Sequence, residues 1–298
     1  MPDSSNNKVH KSGFVNILGN PNVGKSTLMN KLVGEKISII TSKSQTTRHR
    51  IMGIVNSDNY QIVYSDTPGI LKPNYQLQTS MLKFAQSALS DADLILYLTD
   101  VIENPEKNLD FIEKMKATGI PVLLIINKID LSNQEVVTDL IQSWTKRLPE
   151  ARIFPASALH NFNIDNLFDN ILELLPEGPP YFDKDALTDK PQRFFVSEII
   201  REKILLYYQK EIPYSTEVRI EEFKEDENII KIRSIIYVNR DSQKGIIIGH
   251  KGQALKIIGT QARKDIEAFF NKKVFIELFV KVEKDWRNKE KSLKNFGY

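Results

Sequence analysis

The 298-residue sequence contains no cysteine and no long apolar run. The absence of cysteine excludes disulfide bonds and cysteine-ligated zinc, and it is typical of a protein from a reducing compartment. No segment approaches the ~18 consecutive apolar residues that a membrane-spanning helix needs. Residues 1–13 are polar, whereas a signal peptide has an apolar stretch there. We therefore expect a cytoplasmic protein.

Charge is distributed unevenly along a chain of ordinary globular composition, with 41% hydrophobic and 27% charged residues. Residues 1–180 carry 17 lysines and arginines against 19 acidic residues, a net charge of −2. Residues 240–298 carry 14 against 7, a net charge of +7. A basic end on a near-neutral body favours a polyanionic partner, and a solvated charged face is the alternative.

The length suggests about two domains of ~150 residues each. In the first part, short apolar runs alternate with helical spacing, and a hairpin follows the first helix. We predict strands at 14–18, 51–56, 60–64, 94–98 and 122–126, and helices at 25–33 and around 109–115. Because continuous apolar runs suit strands buried on both faces, the pattern predicts a doubly wound, mostly parallel α/β domain over residues 11–176. We expect residues 1–10 to form a flexible N-terminus.

The pattern changes after residue 176. Proline and glycine at 178–180 cannot continue a helix, so residues 177–192 are predicted to be a linker. The order then predicts a helix at 193–208, strands at 215–223 and 229–238, a helix after Gly252, a strand at 274–282 and a short C-terminal helix. Residues 193–298 are therefore predicted to form a second, α+β domain.

A phosphate-binding pattern, G-x-x-x-x-G-K-S, stands between the first strand and the first helix. Glycines permit a tight turn whose backbone N–H groups surround phosphates, and the helix directs its positive end at them. The lysine would reach the β- and γ-phosphates, and the serine hydroxyl would bind Mg²⁺. The residues are Gly19, Asn20, Pro21, Asn22, Val23, Gly24, Lys25 and Ser26, with Thr27 next in the helix.

A second pattern, N-K-x-D, follows the predicted strand at 122–126, at the sheet edge where ligands bind in open α/β folds. It consists of Asn127, Lys128, Ile129 and Asp130. An aspartate there can accept hydrogen bonds from guanine N1–H and the 2-amino group, which adenine does not offer. Asp130 is therefore predicted to select GTP over ATP, with a helix N-cap as its alternative role.

Two loops complete the predicted nucleotide site. Asp66, Thr67, Pro68 and Gly69 follow a strand, so Asp66 can hold Mg²⁺ through water and the Gly69 N–H can meet a γ-phosphate. The other loop contains Gln45, Thr46, Thr47, Arg48 and His49. One of its threonines could complete the Mg²⁺ shell only with the γ-phosphate present, so both loops would order with GTP and relax on hydrolysis.

These motifs, in this order, resemble the Ras-like GTPase superfamily over about residues 10–176. The resemblance implies that Ser157, Ala158 and Leu159 support the guanine, and it favours Thr47 over Thr46 as the switch threonine. Where many members have a water-orienting glutamine, this chain has Ile70, so we expect slow hydrolysis. A protein that binds GTP without hydrolysing it is the alternative.

Three further side chains bear on catalysis in this resemblance. In some relatives an asparagine of the phosphate loop holds a potassium ion, and Asn22 occupies that position. Arg48 and Arg50 are interpreted as solvated arginines, with a supporting role in catalysis as the alternative.

A G-x-x-G turn lies in the basic part of the chain. An apolar segment precedes it, and Leu255, Ile258, Ala262 and Ile266 follow at the spacing of one helix face. This context favours a KH domain, where the turn lets a nucleic-acid backbone approach closely, over a simple turn. The predicted RNA-binding residues are Lys244, Ile248, Gly249, His250, Lys251 and Gly252.

A Ras-like GTPase followed by a KH domain resembles the Era family of bacterial GTPases over nearly the full length, with the 211–215 and 248–252 segments adding to the nucleotide motifs. The resemblance implies a type II KH domain, binding to the 3′ region of small-subunit (16S) ribosomal RNA and a role in subunit maturation. It also implies partial association with the inner face of the cell membrane, and we expect a monomer. The alternative function is a membrane-surface switch whose basic end, with Trp286 and Phe296, meets anionic lipid.

Overall fold

The structure is a computed structural model that describes residues 9–298, in two compact units. Of the described residues, the first unit contains 9–38, Thr47–Leu71 and Leu82–Asp189. The second contains Lys190–Tyr298 and two earlier segments, Ile39–Thr46 and Lys72–Met81. Most of the predicted flexible N-terminus, residues 1–8, lies outside the described residues. The predicted domain limits remain predictions.

A six-stranded sheet forms the frame of the first unit, in the order β2-β3-β1-β4-β5-β6. Only β2 is antiparallel to its neighbour, so the mostly parallel sheet predicted from the sequence is confirmed. In chain order, the elements up to residue 174 are β1 Lys11–Gly19, α1 Lys25–Val33, β2 Ile51–Asn56, β3 Tyr60–Asp66, α2 Gln76–Ser90, β4 Leu94–Asp100, α3 Leu109–Lys116, β5 Val122–Asn127, α4 Gln134–Arg147, β6 Arg152–Pro155 and α5 Ile164–Leu174.

The central strands are buried on both faces, which explains their continuous apolar sequence. All seven residues of β4 are buried, and β5 is buried from Leu123 onward. On one face, Tyr97 and Trp144 pack with their ring centroids 5.9 Å apart, in a core that also contains Ile95 and Leu124. This packing fixes the carboxyl ends of β1, β3, β4 and β5 along one edge of the sheet.

The predicted linker is held along the first unit by hydrogen bonds. Gly178 N donates to His10 O at 3.0 Å, and Ile54 N of β2 donates to Leu187 O at 2.8 Å. The Gln61 side chain accepts from Tyr181 N at 2.6 Å. These backbone groups of the segment are thus bonded to His10, just before β1, and to residues of β2 and β3, which fixes its path over the sheet edge.

A three-stranded sheet, in the order β7-β8-β9, forms the frame of the second unit. Strand β8 is antiparallel to β7 and parallel to β9. Its core joins Ile200, Ile236 and the predicted helix face of Ile258 and Ile266. The elements are α6 Gln192–Tyr207, β7 Thr216–Glu225, β8 Ile229–Val238, α7 Asp241–Ile248, α8 Gln253–Phe270, β9 Lys273–Val282 and α9 Glu290–Phe296. This is the helix, two strands, helix pair and strand that the resemblance implied.

Candidate nucleotide and RNA sites

The phosphate loop is shaped by two glycines with positive φ angles. Gly19 has φ 144° and Gly24, directly before α1, has φ 101°. A Cβ at Gly19 would collide with the backbone oxygen of Leu98, and one at Gly24 with the side-chain nitrogen of Asn127. Only glycine satisfies both demands. The loop therefore closes tightly over β4 and β5 and presents the free N–H groups of α1 to a bound anion.

The lysine of the loop is buried, with 6% of its surface exposed. Its ammonium donates to Gly19 O at 3.1 Å and to Asn20 O at 2.8 Å. Burial lowers the pKa of Lys25 to about 8, an effect that the carboxylates of Asp66 and Glu103 offset in part. Because burial outweighs these carboxylates, a phosphate beside Lys25 would further stabilise the charged ammonium.

Three oxygen side chains from separate elements meet beside the loop. Ser26 Oγ lies 2.9 Å from Thr47 Oγ1 and donates to Asp66 Oδ2 at 2.7 Å, and Thr47 Oγ1 donates to the same oxygen at 3.1 Å. The other oxygen, Asp66 Oδ1, is buried and accepts no hydrogen bond from residues 9–298. Burial raises the pKa of Asp66, and the positive charge of Lys25 opposes part of that rise.

This set of side chains fits Mg²⁺. Hydroxyl and carboxylate oxygens are the ligands that Mg²⁺ prefers, and it uses few protein ligands when phosphates and water complete its shell. Asp66 Oδ1 is the acceptor such a cation or its water would satisfy. Within the described part of the chain, no group of three or more His, Cys, Asp or Glu side chains is arranged to hold a metal ion.

The structure distinguishes the two candidate switch threonines. Thr46 Oγ1 is engaged with Thr41 Oγ1 and with Lys43 O, each at 2.7 Å, within the second unit. Thr47 instead faces Ser26 and Asp66, which supports its assignment as the switch threonine. Gln45 has φ 58° and accepts from the Tyr75 hydroxyl at 2.7 Å.

The interpretation of two arginines as solvated is wrong. Arg48 is completely buried. Arg50 contacts Asp91 at 2.6 Å and donates to Ser65 Oγ at 2.5 Å. Both side chains are thus part of the folded first unit, and His49 between them packs against the ring of Phe84. The guanidinium of Arg50 is directed at its carboxylate partner.

The N-K-x-D residues each have a distinct place. Asn127 is buried and ties two loops, donating to Val23 O at 2.8 Å and accepting from Ala158 N at 3.0 Å. Lys128, at φ 60°, donates to Asn22 O at 2.6 Å and to Asp100 Oδ2 at 2.7 Å. Sequence reasoning missed Asp100, although an acidic residue at the end of a buried strand was a signal for it.

The Asp130 carboxylate, predicted to bind guanine, is held by a neighbouring hydroxyl. Its Oδ1 accepts from Ser157 Oγ at 2.6 Å, which orients the carboxylate. The next helix, α4, takes Asn133 as its N-cap, so the alternative role of Asp130 as a helix cap does not hold. Leu159 is exposed, and Asp130 itself lies within a 3₁₀ turn, Ile129–Leu131. Thr67 has a structural role, since its buried hydroxyl donates to Ile17 O at 2.7 Å.

In the second unit, the G-x-x-G turn connects α7 and α8. Gly249 has φ 71° and ψ 179°, and Gly252 has φ 78° and ψ 8°. His250 and Lys251 between them are exposed, with Lys251 at φ 48°. Lys244 is half-buried on α7, and Ile248 packs partly against the core. The turn therefore presents backbone and a lysine to solvent, as predicted for a nucleic-acid contact.

A groove runs from this turn between α8 and β9. Its floor is apolar, with Leu255 on the helix and Ile276 and Leu278 on the strand. Lys256 and Arg263 stand on its helix side. Gly259 faces Leu278, and a Cβ there would lie 3.3 Å from Leu278 Cδ1, so glycine keeps helix and strand close. An apolar floor with basic groups beside it suits stacked bases and phosphates of single-stranded nucleic acid.

A phosphate loop followed by a helix, an N-K-x-D segment at the same sheet edge and a G-x-x-G groove on a second unit are the features of a P-loop GTPase joined to a KH domain. Residues 14–128 match the family model of a 50S ribosome-binding GTPase, and residues 211–287 match that of a KH domain. The chain is 49% identical to GTPase Era of Syntrophus aciditrophicus, covering 97% of this chain and 95% of the relative. It is 44% identical to GTPase Era of Staphylococcus epidermidis, with 97% of each covered. The chain belongs to the Era family of GTPases.

Solved structures of Era give the same fold. A crystal structure of Era with MgGDPNP and nucleotides 1506–1542 of 16S ribosomal RNA matches with a TM-score of 0.93 at 42% identity, covering 97% of this chain and 99% of that one. A variant of Aquifex aeolicus Era bound to GDP·AlF₄⁻ matches with the same score, identity and coverage. The predicted GTPase with a C-terminal KH domain is confirmed at the level of family and fold.

Proposed function

We propose that this GTPase binds the 3′ region of small-subunit ribosomal RNA through its KH groove and assists maturation of the small ribosomal subunit. The observation that carries the proposal is the groove beside Gly252, with its apolar floor and its basic residues Lys256 and Arg263. A relative of the same fold holds nucleotides 1506–1542 of 16S ribosomal RNA, which supports the same class of ligand here.

In the proposed nucleotide cycle, the loop N–H groups and Lys25 bind the β- and γ-phosphates of GTP. Asp130, oriented by Ser157, accepts hydrogen bonds from guanine. Ser26 and Thr47 would hold Mg²⁺, with Asp66 contacting it through water. When bound, Mg²⁺ neutralises charge on the phosphates. The backbone N–H of Gly69 meets the γ-phosphate.

The second part of the proposal is that GTP binding changes the affinity of the protein for RNA. Within the second unit, the guanidinium of Arg201 donates to Thr46 O, and Lys43 Nζ donates to Tyr208 O at 2.5 Å. The buried Arg201 is itself held by Glu198 on the same helix. Thr47 follows Thr46 directly, so a change at Thr47 on GTP binding would reach α6 through the peptide bond between them and the hydrogen bond from Arg201 to Thr46 O. We propose that GTP gates RNA binding by this route.

The test is equilibrium binding of an RNA fragment from the 3′ end of small-subunit ribosomal RNA, compared with a scrambled RNA of equal length. The protein is loaded with GDP or with a non-hydrolysable GTP analogue. We expect a preference for the 3′-end fragment that changes with the nucleotide. Equal affinity for both RNAs contradicts the ligand assignment, and equal affinity in both nucleotide states contradicts the gating.

We also propose potassium as an accessory ion at Asn22, whose φ of 66° turns the loop at that residue. Faster single-turnover hydrolysis in potassium chloride than in sodium chloride would support it, and equal rates would exclude it. Peripheral membrane association and the monomeric state stay predictions.

One of the two aromatic side chains on which the lipid-binding alternative depends is not exposed. Trp286 is fully buried, and its Nε1 donates to Ser215 O at 3.0 Å. Phe296 packs edge-on against it, with ring centroids 5.3 Å apart. Among residues 9–298, no helix is long and apolar enough to cross a membrane.

A further inference from the structure

Ile70 occupies the position after Gly69, and its side chain points into the core. It is 3% exposed and belongs to the cluster that contains Leu18 and Ile95. Its backbone N–H donates to Gly19 O at 3.0 Å. A Cβ on Gly69 would lie 2.7 Å from the backbone of Pro21, so the two loops are in close contact at this point. The backbone around Ile70, not its side chain, is what the loop offers to a γ-phosphate.

Asn108, directly before α3, holds this backbone from the other side. Its amide nitrogen donates to Ile70 O at 3.2 Å and to Asn20 Oδ1 in the phosphate loop. One amide group has two N–H bonds, so a single side chain satisfies both acceptors. The residue has φ 58°, a left-handed conformation in which asparagine is several-fold enriched.

The orientation of the Asn20 amide is set from a third direction. Burial raises the pKa of Glu103, and a hydrogen bond from the Asn20 side chain offsets part of that effect. Thr99 Oγ1 donates to the same carboxylate at 3.2 Å. Because the nitrogen of Asn20 is directed to Glu103, its oxygen is directed to Asn108. The end of β4, the phosphate loop, α3 and the loop after β3 are thus connected by one chain of side chains.

We propose that Asn108 is a positioning residue for GTP hydrolysis, which acts by fixing the Gly69–Ile70 peptide against the phosphate loop. Position 70 has no glutamine, so the backbone of Gly69 and Ile70 is what faces the γ-phosphate. Asn108 fixes the position of that backbone. The proposal rests on the assignment of the Gly69 N–H to the γ-phosphate. GDP has no γ-phosphate, so the hydrogen bond from Asn108 to Ile70 O acts on GTP alone, whereas the hydrogen bond to Asn20 in the phosphate loop acts on both nucleotides.

The test compares Asn108→Gly and Asn108→Asp with the parent protein in single-turnover GTP hydrolysis. Glycine keeps the left-handed backbone and removes the amide, while aspartate keeps the shape and removes the donor. Asn271→Gly is the matched control, since Asn271 is also a left-handed asparagine, at the end of α8. Affinities for GDP and for a non-hydrolysable GTP analogue are measured for each variant.

We expect the ratio of the hydrolysis rate to the analogue dissociation constant to fall about fivefold or more in both variants, a loss of ~1 kcal/mol. Their GDP affinity falls by less than this ratio, and Asn271→Gly stays within twofold of the parent. If hydrolysis is unchanged in both variants, or if GDP affinity falls as much as the ratio, the proposal is overturned. If the parent protein itself does not hydrolyse GTP, that result contradicts the proposed function and is distinct from a failure of the role of Asn108.

Discussion

Replacing Gly252 by aspartate should separate RNA binding from folding. Gly252 has φ 78°, and a Cβ there would meet no atom within 4 Å. The cost is therefore that of the left-handed conformation, ~1 kcal/mol for a residue such as aspartate that tolerates it. Gly249 differs, because ψ is 179° and a Cβ would lie 2.6 Å from Ala254 Cβ. Gly249→Ala should cost at least ~1–3 kcal/mol of unfolding free energy from backbone strain alone.

The effect of Gly252→Asp on RNA affinity follows from charge. A carboxylate about 4 Å from an RNA phosphate is repelled by ~1 kcal/mol at the dielectric constant of water and by ~4 kcal/mol at an effective value near 20. We expect RNA affinity to fall tenfold or more at fixed salt, measured by filter binding. Nucleotide affinity should be unchanged, and denaturant unfolding should show a loss of about 1 kcal/mol.

Gly252→Ala is the matched control, since it imposes the same backbone conformation without the charge. It should retain more RNA affinity than Gly252→Asp. The reasoning would be refuted if Gly252→Asp bound RNA as well as the parent, or if GTP and RNA binding were lost together. The second result would mean that the two units do not fold independently of this turn.

Three further predictions concern the nucleotide. Lys25→Ala should weaken GTP and GDP binding at least tenfold in fluorescence titration, because it removes the buried ammonium proposed to bind the phosphates; unchanged affinity would contradict its role. Asp130→Asn should shift preference from GTP toward xanthosine triphosphate in competition binding, and unchanged guanine selectivity would undercut the assignment of Asp130. Ser157→Ala should weaken guanine nucleotides about fivefold, ~1 kcal/mol for the lost hydrogen bond that orients Asp130, and equal affinity would show that Asp130 needs no such support.

Local patterns predicted the nucleotide site because its residues are set by short-range geometry. The phosphate loop turns tightly between a buried strand and a helix, and Gly19 and Gly24 permit the backbone angles that this turn requires. The strand at 229–238 and the helix at 25–33 were predicted with the bounds the structure has. An apolar pattern indicates both elements, and Gly24 and Gly34, each with a positive φ, mark the two ends of the helix.

Long-range packing explains what the sequence did not predict. Strand β6 is four residues long and begins with the exposed Arg152, so no apolar run marks it. The segments Ile39–Thr46 and Lys72–Met81 belong to the second unit through contacts distant in sequence. Charged residues are rarely buried, which is why Arg48 was interpreted as solvated. The groove forms where α8 packs beside β9, so the sequence alone did not identify Lys256 and Arg263 as residues that line it.

Ultraviolet cross-linking of the protein to cellular RNA in a GTP-loaded extract, followed by sequencing of the bound fragments, would identify the RNA that the protein binds. We expect enrichment of the 3′ region of small-subunit ribosomal RNA, and loss of that enrichment in Gly252→Asp. Diffuse or absent RNA cross-links with the parent protein, in an extract where GTP remains bound, would contradict the proposed role in small-subunit maturation.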